Sequence, residues 1–228
     1  MISNKAQGHW AGVLYLVVVL TGLFSLMYVP AHLSGLDQTH QSLAQHVAVT
    51  AVWRRLSMVV FVVEQLAFLL LPWILFKLLA RAGRGTATLM VALAWMSIPI
   101  SLMAVVHQLD AVHWAVKAMP IPSRLDEALV RMALASARHS LWLAGLFWGL
   151  WLIPLGWLAM RTGLLPRVLC ALLMLGGLGY LVDLAGTVLF PTYPGTWLAG
   201  GIMVPAELGE IGACLWLLVA GGRTSIKA

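Results

Sequence analysis

The stretch Phe147-Trp-Gly-Leu-Trp-Leu-Ile-Pro-Leu-Gly-Trp157 leads through Arg161-Thr-Gly-Leu-Leu-Pro-Arg167 into a second apolar run that ends near Phe190. No charged residue stands between Ser140 and Met160, and a helix over that run is about 30 Å long, enough to cross a bilayer core. Gly163 and Pro166 interrupt the pattern and predict a tight turn. Arg161 and Arg167 flank the turn and assign it to the cytoplasmic side. The pattern is a hairpin of two membrane helices, the first starting at the outer face near His139 and the second returning to it near Phe190. Asp183 then lies about 24 Å above Arg167, in the outer half of the membrane. A carboxylate at that depth is costly unless it faces protein or water.

The composition agrees with this reading. The chain has 228 residues, of which 61% are hydrophobic and 10% charged, against about 25% charge in soluble domains. Its mean hydropathy is +0.93. One integral membrane domain over residues 1–228 is expected, with almost no soluble part. The net charge of +6 does not indicate nucleic acid, because the basic residues sit at helix ends rather than in one patch. They fit topology and contact with anionic headgroups of membrane lipid. Cys170 and Cys214 both fall within apolar runs and read as buried, inert thiols.

Outward from the hairpin, the apolar runs predict an all-α, polytopic membrane helix bundle with six transmembrane helices at about 10–30, 53–79, 86–109, 139–160, 167–190 and 197–219. The run from Trp10 to Tyr28 lacks a small-residue cleavage pattern and reads as the first helix. Lys5 before it, and Arg223 and Lys227 after the last helix, predict cytoplasmic N and C termini. Lys77, Arg81 and Arg84 join them on the inner side, while Arg54, Arg55, Lys117, Arg124, Arg131 and Arg138 fall outside. The segment from His32 to His46, with Asp37, Gln38, His40 and Gln41, reads as a polar loop. Pro99 predicts a kink in the third helix. The longest loop, 110–138, is expected to hold a short amphipathic helix on the outer face, capped by Ser123 and carrying a Glu127–Arg131 pair. Gly145 and Gly149 form a small-xxx-small pair suited to close helix packing.

Acidic residues within the spans are few: Glu64, Asp183, Glu207 and Glu210. Each costs on the order of 2.5–3.5 kcal/mol at the bilayer centre, so the chain must pair, protonate or hydrate them. Glu207 and Glu210 are one turn apart on one face, which disfavours joint ionisation and makes one of them a proton donor. By depth, Gln65, Gln108, His107, His139, Arg54 and Arg55 fall with these acids at or above the membrane centre. The inner half is nearly pure hydrocarbon. The expectation is a polar cavity open toward the outside, with Asp183, Glu210 and His139 as acid–base groups. Arg55, Gln65, Gln108, Glu64 and Glu207 would bind ligand there, and Trp148 and Trp151 would form an apolar wall. Each residue also has a structural reading. Arg54 or Arg55 would snorkel to headgroups, His139 would cap a helix, and Asp183 or Glu210 would be hydrogen-bonded packing groups. No spacing matches a metal motif, and there is no phosphate-binding glycine loop.

The hairpin signature, together with Gly179-Tyr-Leu-Val-Asp183, Tyr28-Val-Pro30 and Pro205-Ala-Glu-Leu-Gly-Glu-Ile211, resembles the bacterial membrane-protein family catalogued as domain of unknown function 4386. The resemblance covers nearly the whole chain. It implies six helices and a bacterial cytoplasmic (inner) membrane, and it carries no activity and no cofactor. It also implies polar residues where this chain has Arg55, Gln65, Gln108, His139, Asp183 and Glu210. Glu64, Glu207 and His107 depart from that pattern.

Three functions fit these residues. The first is binding or acid–base transformation of a lipophilic small molecule in the polar cavity. The second is an accessory role, in which Trp- and Gly-rich helices bind a partner membrane protein. The third is proton-coupled transport by the same acids. Against transport stand the apolar inner half and the lack of an inverted repeat.

Overall fold

A computed structural model describes residues 4–35 and 42–221. Asp37, Gln38, His40, Gln41, Arg223 and Lys227 lie outside the described residues. The described chain is all-α. In order it forms α1 (Asn4–Gly22), a π-helical turn (Leu23–Tyr28), α2 (Val29–Gly35), α3 (Leu43–Val49), α4 (Ala51–Leu79) and α5 (Arg84–Lys117). Then follow α6 (Arg124–Thr162), α7 (Arg167–Leu189), a 3-10 turn (Tyr193–Gly195), α8 (Trp197–Gly201) and α9 (Val204–Ala220). Six segments are long and apolar enough to cross a membrane: Lys5–Ser34, Ala51–Leu79, Arg84–Lys117, Arg124–Thr162, Arg167–Leu189 and Trp197–Ala220.

The expected outer loop and its separate short helix are corrected. α5 runs on to Lys117 and α6 starts at Arg124, so residues 118–123 alone connect them. No Gly or Pro interrupts 100–119, and Ala111, Val112 and Ala115 are buried; Pro120 and Pro122 supply the stop. Likewise 124–144 contains no helix breaker, so the amphipathic segment continues into the span as one helix instead of lying as an independent element. Ser123 does cap it: its backbone N–H and its hydroxyl donate to Asp126 Oδ2 at 2.9 and 2.7 Å, and Asp126 N–H returns to Ser123 Oγ at 3.3 Å. Pro99 lies inside α5 without ending it.

The polar loop after the first span holds a helix that periodicity did not reveal, α3. Ser42 accepts from Gln45 N–H, and Glu127 Oε1 accepts from Ala44 N–H at 3.1 Å. Two of the orphan N–H groups at this helix start are thus satisfied by side chains. Glu127, expected to pair with Arg131, instead binds α3.

The chain divides into two compact units. Unit 1 comprises Met1–Val17, Ala67–Ile98 and Leu143–Ala228, and unit 2 comprises Val18–Leu66 and Pro99–Trp142. In unit 1, α7 packs along α9 through small residues. A Cβ on Gly176 would run into the Ala206 backbone, and one on Gly179 would stand 2.5 Å from the Ile202 carbonyl oxygen. The N-terminal part of α1 packs on the end of α9, where Gly12 meets the Leu217–Leu218 backbone and the His9 ring pairs with the Leu218 carbonyl at 2.8 Å. In unit 2, Ala44 and Val47 of α3 form a core with Ala51, Met58, Val112, Ala115 and Val130.

Candidate functional site

The polar centre of unit 2 starts from a proline. Pro30 has no N–H to give, so the carbonyl five residues back, Ser25 O, lacks its π-helical donor. The alternative donor, Val29 N–H, is directed to Phe24 O instead. The orphan carbonyl is satisfied from another helix: Ser57 Oγ of α4 donates to Ser25 O at 3.1 Å. The Ser25 hydroxyl donates to Thr21 O at 2.7 Å and lies 3.4 Å from Glu64 Oε2. One hydroxyl carries one proton. With that proton on Thr21 O at 2.7 Å, the longer Ser25–Glu64 contact is the weaker of the two. Gly22 leaves room for this carboxylate, since a Cβ there would stand 3.4 Å from Oε2.

Beside this cluster lies a small, half-open cavity of about 20 Å³, room for about one water. Ser25, Ser57 and Gln108 give it polar groups, and Met58, Phe61 and Leu141 are among its apolar walls. Glu64 and Gln65 are both buried, and Gln65 Oε1 has no hydrogen-bond donor among the described residues. Arg54 is half-buried and its Nε donates to Thr50 Oγ1 at 3.1 Å, while Arg55 is exposed. His139 is exposed, with its ring 5.3 Å from that of Trp142. His107 Nδ1 stands 3.9 Å from Asp110 Oδ2.

Unit 1 holds the remaining expected residues. Tyr15 is buried, and its hydroxyl faces the Glu210 carboxylate without closing a hydrogen bond. Glu210 is half-buried and Glu207, one turn before it, is exposed. Trp151, expected on a cavity wall, is 1% exposed. Its indole is packed between Tyr15 (centroids 6.3 Å apart) and Phe68 (5.1 Å), which makes it part of the core. Trp148 is half-buried. Asp183 is half-buried beside Tyr193 of the 3-10 turn. Burial, with the Asp183 carboxylate as a second cause, raises the Tyr193 hydroxyl above its usual pKa of 10.0. Among the described residues no three His, Cys, Asp or Glu side chains gather as a metal site.

Of the ten residues expected to form the site, Arg55, Glu64, Gln65, Gln108 and His139 belong to unit 2, and Trp148, Trp151, Asp183, Glu207 and Glu210 to unit 1. Gln108 lines the unit 2 cavity. Ser25 and Ser57 were missed by sequence reasoning. Serines in apolar helices ordinarily bond back to a carbonyl one turn earlier, and the signal that singles these two out is Pro30, five residues after Ser25.

Six apolar helices of spanning length define a multi-pass membrane protein. The chain belongs to the family described as Domain of unknown function (DUF4386), whose model matches residues 10–221. No curated protein and no solved structure matches it.

Proposed function

We propose that this protein binds a lipophilic small molecule whose hydrogen-bonding head enters the unit 2 cavity while its apolar part stays outside, and exchanges a proton with it through Glu64. The observation that carries the reading is the lining itself: Ser25, Ser57 and Gln108 on walls otherwise built of Phe61, Met58, Leu141 and their neighbours. Small-molecule sites have this character, mostly apolar with a few convergent polar groups. Glu64 stands one hydroxyl away from the cavity, across Ser25. Glu210 beside Tyr15, and Asp183 beside Tyr193, are the other candidate acid–base groups. The protein sits in a bacterial cytoplasmic membrane with both termini inside, which the basic turn at Arg161 and Arg167 supports.

Native mass spectrometry of the full chain, released from mild detergent, tests the binding. An adduct of defined mass is expected on the wild type and lost in Gln108→Leu and Ser57→Ala. An adduct that survives both substitutions, or a bare chain under all conditions, would sink the proposal. A second chain in the recorded mass would favour the accessory role instead.

A further inference from the structure

α4 and α5 form an open apolar groove of about 200 Å³ in unit 1, lined by Trp73, Phe76, Thr88, Val91, Ala92 and Trp95. The aromatic rings are ordered against each other. Trp73 stacks on Phe76 with centroids 5.8 Å apart and on Trp95 at 6.2 Å. Both indoles remain exposed, at 46% and 39%. The polar atom of Trp95 is already used, because its Nε1–H donates to the Leu69 carbonyl at 3.0 Å. A groove with this surface suits hydrocarbon.

Its inner end is cationic. Trp73, Lys77 and Arg81 recur every four residues, as do Thr88 and Arg84, so both walls run toward a basic residue. Lys77 Nζ is held 5.7 Å from the Trp73 ring centroid. Among the described residues no carboxylate pairs with Lys77, Arg81 or Arg84. Three exposed cations without a carboxylate partner, gathered at the end of an apolar groove, are suited to hold an anion. A basic pocket between membrane helices is how anionic headgroups are held.

We infer that this groove holds one acyl chain of an anionic phospholipid whose headgroup phosphate is bound by Lys77, Arg81 and Arg84. The site is separate from the Ser25–Gln108 cavity and does not depend on what that cavity binds. It ties a specific lipid to the α4–α5 hairpin.

The test is native mass spectrometry of the full-length protein titrated with dioleoyl phosphatidylglycerol and, separately, dioleoyl phosphatidylcholine. Their chains are the same and only the headgroup differs. The wild type is expected to carry several-fold more of the anionic lipid. Lys77→Gln, Arg81→Gln and Arg84→Gln together abolish that preference and leave phosphatidylcholine adducts unchanged. Trp95→Leu lowers occupancy by the anionic lipid while the three cations remain. Equal occupancy by the two lipids in the wild type overturns the proposal, as does a preference that persists in the triple variant. An anionic-lipid occupancy untouched by Trp95→Leu removes the groove from it.

Discussion

Proline at position 30 withholds one N–H, and its effect is read on a serine of another helix. Ser57 gives its proton to the carbonyl that Pro30 leaves open. A buried acceptor without a donor costs about 1–3 kcal/mol, so Ser57→Ala should destabilise the protein by about that amount. Pro30→Ala restores the missing N–H and lets the turn relax toward a regular helix. In that background Ser57→Ala should cost distinctly less. Denaturant titration of the four variants in detergent reads this coupling. An equal cost in both backgrounds would show that the hydroxyl has some other task. Glu64 depends on the same turn, because Ser25 sits within it and faces the carboxylate.

At the scale of elements, the α7–α9 contact is made by the absence of side chains. Gly176 meets the Ala206 backbone, whereas Gly200 of α8 has nothing within 4 Å of an added Cβ. Gly176→Ala should therefore cost about 1–3 kcal/mol through overpacking. Gly200→Ala should be neutral or slightly stabilising, since alanine is the better helix former. Melting of the purified variants measures both, and a tolerated Gly176→Ala would mean that the two helices can move apart without loss. The spans themselves were legible from hydropathy, because a run of about twenty apolar residues has few other uses. The expected 53–79, 167–190 and 197–219 differ from the observed helices by a residue or two. The connections were not legible. α3 is only seven residues long and owes its start to Glu127, far along the chain. α6 runs through residues that the sequence pattern divides between a loop helix and a span, because polarity changes there while helix propensity does not. The candidate site was legible in its acids and amides but not in its serines. A costly carboxylate announces itself in an apolar run, and a serine does not.

For the whole molecule, the proposed orientation makes a direct prediction. Cys170 and Cys214 are buried, so they contribute little background to thiol labelling. Gly85→Cys, at an open position near the α4–α5 turn, should react with a membrane-impermeant maleimide only after the cells are opened. Ile121→Cys, between α5 and α6 and 86% exposed, should react in intact cells. The reverse pattern would invert the protein and move both termini outside. The packing of α1 on α9 has a separate consequence, one of order in time. α1 leaves the ribosome well before α9, and its Gly8 and Gly12 are fitted to the end of that later helix. Until α9 is made, the glycine face of α1 has lipid for a neighbour, or a temporary chaperone. A chain stopped before Val204 would lack the partner of α1, so quality control would recognise an unfinished copy by that uncovered face.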